Sequence, residues 1–89
     1  VTQDIQATLA ERGSRYGKFV DHAECTQALK RVMVDHNVSR LDPDMIEALD
    51  MIAHKIGRIL KGDPNYADSW HDIAGYASLV DQRLQGNTK

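Results

Sequence analysis

From Asp42 to Gly62 the chain has one reading, a long helix with more apolar surface than a single neighbour can cover. Asp42 is a good N-cap, and Pro43 suits the first helical position, where its missing N–H would have no partner anyway. Met45, Ile46, Leu49, Ile52, Ala53, Ile56, Ile59 and Leu60 recur at helical spacing. On a helical wheel they fill an arc of about 160°, wider than the stripe a surface helix needs. The segment is therefore expected to be the central helix of the fold, flanked on two sides and ended by Gly62.

The rest of the chain is built to the same pattern, and no stretch shows the period-two alternation of a strand. A short first helix is expected from about Thr2, a candidate cap, to Glu11, with Ile5 and Leu9 as its seam. Arg12-Gly13-Ser14-Arg15-Tyr16-Gly17-Lys18 follows as an interhelical turn, because two glycines and a serine break a helix. A second helix is expected from about Asp21 to His36. Asp21 would cap it and Glu24 would complete a capping box. Its apolar face is Cys25, Ala28, Leu29, Val32, Met33 and His36. After Asp63-Pro64 and a turn through Tyr66, a fourth helix runs to about Leu84. Tyr66, Trp70, Ile73, Ala77, Val80 and Leu84 form its seam. The three long helices would each span about 23–28 Å. Short connections favour an all-α antiparallel bundle of three long helices plus the short N-terminal one.

Size and composition narrow the function classes. At 89 residues and 10.0 kDa the chain supports one core, so residues 1–89 form a single helical domain. A folded surface of about 5,200 Å² is expected for this mass. One cysteine, Cys25, excludes an intrachain disulfide framework and suits a reducing compartment, so the chain is expected in the cytoplasm. No apolar run approaches a membrane span, and Val1-Thr2-Gln3-Asp4 lacks the layout of a secretory leader. The net charge of −2 argues against a nucleic-acid partner. The four histidines have no ligand spacing, and nothing points to zinc, haem or flavin.

Two local charge concentrations stand out. Asp68, Asp72, Gly75 and Leu79 share one side of the fourth helix, away from its seam. Stacked aspartates repel each other, so a cation is expected opposite them. Lys55 and Arg58 on the third helix lie at a compatible height in an antiparallel pair. The four residues form either a salt-bridge cluster that fixes register or a polar site. In a site, Asp68 and Asp72 would hold a metal while Lys55 and Arg58 contact phosphate. Arg12, Arg15 and Lys18 around Tyr16 and two glycines form a second candidate, in which backbone amides turn toward an anion and Tyr16 stacks on a base.

The stretch Ala53-His54-Lys55-Ile56-Gly57-Arg58-Ile59-Leu60, the block Asp68-Ser69-Trp70-His71-Asp72-Ile73-Ala74-Gly75-Tyr76-Ala77 and the Arg12-Gly13 to Tyr16-Gly17 segment carry a resemblance. Together they resemble a family of small phage and prophage proteins of uncharacterised function, from Leu9 to about Leu84. That family is similar, more distantly, to the all-α nucleoside triphosphate pyrophosphatases of the MazG-like type. The resemblance implies a helical bundle that assembles as a dimer or higher. It also implies magnesium held by Glu-x-x-Glu and Glu-x-x-Asp on successive helices. The chain departs from that pattern: its acids are Asp68-x-x-x-Asp72, and Lys55 and Arg58 stand where metal-binding acids would be expected. The expectation is thus a homo-oligomeric helical protein that binds, and in the fullest form hydrolyses, a nucleotide phosphate with Mg2+. Asp68 and Asp72 would serve the metal, and Lys55, Arg58, Arg15, Tyr16 and Lys18 the phosphates and base. The alternative is a non-catalytic protein that binds a host or phage protein, with the charged cluster structural.

Overall fold

A computed structural model of the chain describes residues 2–87, with side chains from Asp4 onward. The described residues are helical throughout apart from short connections: α1 (Thr2–Tyr16), α2 (Phe19–Asp35), a 3-10 turn (Val38–Arg40), α3 (Pro43–Lys61) and α4 (Ala67–Leu84). No described helix is long and apolar enough to cross a membrane.

α3 has the bounds its sequence dictates, with Asp42 at the N-cap, Pro43 at the start and Gly62 at the C-cap. Asp42 does not cap with its own carboxylate. That group, with Asp44, instead receives Arg83 from the far end of α4. The Arg83 Nε donates to Asp44 Oδ2 at 2.8 Å. This bidentate pairing holds the Asp44 pKa down and drives that of Arg83 up. It also fixes α3 and α4 as antiparallel.

Two helix boundaries differ from expectation. α1 continues through Arg12, Gly13 and Ser14 and stops at Tyr16. Ser14 stays helical by bonding its hydroxyl back to the Glu11 carbonyl at 2.7 Å, a pattern that exposed helices tolerate. Gly17, at φ 79°, is the true stop. Thr2 lies inside α1, so it does not precede the helix as a cap would; its side chain and the tail residues Thr88 and Lys89 lie outside the described residues. α2 starts at Phe19 with Lys18 as N-cap and no side-chain cap. Asp21 is therefore a first-turn acid, favoured by the helix dipole, and not the cap.

α3 packs on α2 along one flank and on α4 along the other, while α2 and α4 make no comparable contact with each other. The three form a single layer. Close approach of α2 and α3 depends on Gly57, which is buried. A Cβ there would lie 2.8 Å from the His22 carbonyl oxygen and closer still to Thr26 Oγ1. The N-terminal end of the molecule is joined the same way. Gly17 lies against the Lys61 carbonyl and Gly62 against the Tyr16 backbone, and the Asp63 N–H donates to the Arg15 carbonyl at 2.7 Å. Residues Asp4 to Ser14 of α1 are all exposed, so α1 is attached through its last turn.

The expected seams of α2 and α4 are only partly covered. On α2 the buried residues are His22 and Thr26, while Ala28, Val32 and His36 are exposed and Cys25 is half-buried. On α4 Ser69 is buried, and Trp70, Ala77 and Leu84 are exposed. The buried sides of both helices are rotated toward α3, which is the only helix either one packs along at length.

Candidate functional site: a cationic cleft beside α1

The last turn of α1, the start of α2 and the end of α3 enclose a cleft of 460 Å³, lined among others by Arg12, Tyr16, Lys18, Phe19, His22 and Arg58. Each wall has a local cause. Tyr16 and Arg12 are one turn apart on α1. Gly17 reverses the chain so that Lys18 and Phe19 begin α2 at the cleft mouth. Arg58 is carried in by α3, one residue after the glycine that lets α2 approach.

Arg58 stacks on the Tyr16 ring, its guanidinium carbon 4.0 Å from the centroid. Arg12 approaches the same ring at 5.6 Å. Among the described residues, no carboxylate lies within salt-bridge distance of Arg12, Lys18 or Arg58. Burial, and then the neighbouring Arg12, push the Arg58 pKa down, against the opposing pull of Tyr16 and Asp72. Its Nε is buried with no hydrogen-bond partner among the described residues. His22 forms part of the floor at 5% exposure, and its Nδ1 likewise has no partner among them. Arg12, Lys18 and Arg58 thus line the cleft without a paired carboxylate among the described residues. Electrostatically such a lining of guanidinium and ammonium groups is suited to an anion.

The structure brings Tyr16, Lys18 and Arg58 together and places the other candidates elsewhere. Arg15 turns to the far side of Tyr16, where its guanidinium covers the Tyr66 ring at 4.5 Å and meets Glu11 at 3.6 Å. Lys55 leaves the cleft and pairs with Asp72 across the α3–α4 contact, Nζ to Oδ2 at 3.0 Å. Asp68 accepts a hydrogen bond from the Tyr66 hydroxyl at 3.0 Å, which raises the tyrosine pKa. The expected quartet of Lys55, Arg58, Asp68 and Asp72 is thus divided into the Lys55–Asp72, Tyr66–Asp68 and Arg58–Tyr16 contacts. Gly75, the glycine singled out on the fourth helix, stands in open space, and a Cβ there would meet nothing within 4 Å.

Sequence reasoning did not place His22 or Phe19 at a site. Their position within one turn of Lys18 is the signal that could have located them. His22 also stacks edge-on against His54, with ring centroids 5.9 Å apart. Burial, together with Arg58, Lys55, His22 and Lys30, lowers the His54 pKa to about 4, and burial also lowers that of His22. Both imidazoles are therefore neutral in the fold at neutral pH. The unfolded chain binds their protons near 6.5, so stability is complete above that pH and declines as pH falls toward about 4. One such group contributes at most about 1.4 kcal/mol per pH unit. The fall in melting temperature between these limits should be shallower in His54→Gln, and an unchanged slope would remove His54 from the account.

The Lys55–Asp72 pair gives a second expectation. Lys55 is 11% exposed at its side chain and Asp72 44%. Asp72→Ala strands a buried ammonium and should cost about 1–2 kcal/mol. Lys55→Met removes the buried charge and keeps the stem, so it should be near neutral or stabilising. Thermal unfolding of the two variants checks the order, and the reverse order would count against a structural pair.

The fold and cleft define a small all-helical domain with a cationic, aromatic-walled cleft. Residues 2–84 match the family DUF6378, a domain of unknown function, and the chain belongs to that family. No curated protein matches the chain, and no solved structure does.

Proposed function

We propose that this protein binds a nucleotide through its phosphates in the cleft beside α1. Arg12, Lys18 and Arg58 take the phosphate charge, and Tyr16 and the exposed ring of Phe19 offer faces to the base. The observation that carries the reading is a 460 Å³ cleft with three cations and no paired carboxylate among the described residues. The volume lies within the range of small-ligand sites. The more distant resemblance to MazG-like pyrophosphatases is in keeping with the same ligand class.

The residues do not fit a resident magnesium ion. Asp72 is already neutralised by Lys55, Asp68 is engaged by Tyr66, and the described residues hold no group of three or more potential ligands. We therefore assign binding to this cleft and no hydrolytic step. Magnesium enters the proposal only as an ion carried on the nucleotide's own phosphates.

Melting of the purified protein with inorganic phosphate, pyrophosphate and nucleoside triphosphates, with magnesium and with chelator, tests this. At a hundredfold excess over Kd a ligand adds about 2.7 kcal/mol to stability. Triphosphates should raise the melting temperature in both conditions. No shift with any of these anions would sink the reading. A second reading, a protein-interaction role, is favoured by the exposed apolar side of the layer.

A further inference from the structure

Of the residues that line the cleft, His22 is the one that is buried. Its ring meets two others edge-on, that of Phe19 with centroids 5.2 Å apart and that of His54 at 5.9 Å. Gly57 brings α3 onto α2 at this point, against the His22 carbonyl. Ionisable groups surround the imidazole from every helix that packs there. α1 brings Arg12 and Tyr16, α2 brings Lys18 and Asp21, and α3 brings His54 and Arg58. Lys55 and Lys30 act in turn on His54. Asp21 is the one acid in this set, and it is exposed.

Such surroundings keep the free imidazole uncharged. Burial, then Arg58 and Arg12, hold its pKa below the ordinary 6.5, against the opposing pull of Asp21. An anion seated among Arg12, Lys18 and Arg58 reverses that balance. It offsets the field of the two arginines at His22, and a negative charge nearby favours the protonated ring. The two imidazoles cannot both respond, since a second positive charge in the neighbouring ring would repel the first. His22 is the one that lines the cleft, so the proton falls to it.

We infer that anion binding in this cleft is coupled to the uptake of one proton by His22, so that the site tightens in acid. The inference rests on the anion reading of the cleft. The proton comes from solvent, and no bond in the ligand changes. At a pH above the His22 pKa of both the free and the loaded protein, the ring is neutral in each and affinity is level. Between the two values the loaded protein holds a proton that the free protein lacks. There the affinity rises by up to about tenfold for each pH unit of fall. Below both it is level again. Reciprocally, a bound anion holds His22 protonated at a pH where the free protein does not.

Titration calorimetry from about pH 8 to about pH 5, the range in which imidazoles change charge, tests it. Terminal phosphates titrate at about pH 6 themselves. The probe is therefore a dinucleoside pyrophosphate, which has none, with inorganic sulfate as a second anion of constant charge. The wild type should bind more tightly as pH falls. In buffers of different ionisation enthalpy it should take up at most about one proton. His22→Gln should bind with an affinity that no longer changes with pH, whereas His54→Gln should keep the rise. If His22→Gln does not fold, the wild-type ring signals decide. By NMR, His22 should then titrate at a higher pH with the probe bound than without it. Affinity that is level across the range, or a rise kept in His22→Gln, overturns the inference and leaves the anion reading standing. Failure of both probes to bind at any pH also overturns it, and the anion reading falls too if triphosphates do not bind.

Discussion

Arg58→Gln is expected to weaken nucleotide binding roughly 10- to 100-fold while leaving the free protein folded. Truncating one partner of a charge-assisted hydrogen bond costs about 1.5–3 kcal/mol, which sets that range. Glutamine keeps part of the stem that packs on Tyr16 but not the charge. In the free protein the loss should be small, because two effects oppose each other. The cation–π contact with Tyr16 at 4.0 Å is weakened, and the burial of the charge, with the repulsion from Arg12, is relieved. Arg58→Lys should recover only part of the affinity, since an ammonium lacks the planar fork that grips phosphate. Titration calorimetry with a nucleoside triphosphate, alongside melting of the free variants, separates the two roles. Equal binding by wild type and Arg58→Gln would remove Arg58 from the site. A collapse of the free protein would make it a structural residue.

Gly57→Val is expected to cause the largest loss of stability of any single change proposed for this chain, about 3 kcal/mol or more. Its Cβ would press on the His22 carbonyl, which belongs to helix backbone, and on the buried Thr26. Neither can move without shifting α2. Overpacking of this kind costs about 1–3 kcal/mol, occasionally more, and the branched side chain adds to it. For a domain of this size each kcal/mol moves the melting temperature by about 4–8 °C. Gly75→Ala provides the contrast. Nothing surrounds that position, so alanine should add about 0.5–1 kcal/mol through helix propensity alone. Opposite signs at two helical glycines would establish that α2–α3 approach, and not helix content, limits stability. Matching signs would remove the close packing at Gly57 as the cause.

The two glycines also show what the sequence can express. Nothing in the sequence separates Gly57 from Gly75, since the difference lies in what stands opposite. The same holds for the helix faces. The apolar pattern of α2 and α4 predicts Val32, Trp70 and Leu84 as covered, yet these are exposed. A wheel reports which side of a helix is apolar but does not supply the neighbour. α3 is legible to the residue at both ends because Asp42-Pro43 and Gly62 are local signals. α1 is not, because Ser14 and Gly13 are permitted in an exposed helix, and the chain turns at Gly17 instead. Of the cleft, Arg12, Tyr16 and Lys18 are legible as a local cluster. Arg58 stands out in the sequence as facing Asp68 and Asp72, whereas its direct contact in the structure is the Tyr16 ring. His22 and Phe19 are signalled only by lying within one turn of Lys18, which places them at the cleft once α2 starts at Phe19.

The attachment of α1 has a consequence for how the cleft works. The first eleven described side chains of that helix, Asp4 to Ser14, are exposed, and its hold on the body is concentrated in the backbone contacts of Gly17 and Gly62. The cleft exists only while those contacts are made, because Arg12 and Tyr16 belong to α1 and Arg58 belongs to α3. On the proposed reading, ligand affinity would be the intrinsic affinity scaled by the fraction of molecules with α1 docked. By linkage, a ligand bridging the two walls must tighten that docking by the same factor it gains. One wall of the cleft therefore hangs on two glycines, and a side chain at either would part it from the other wall.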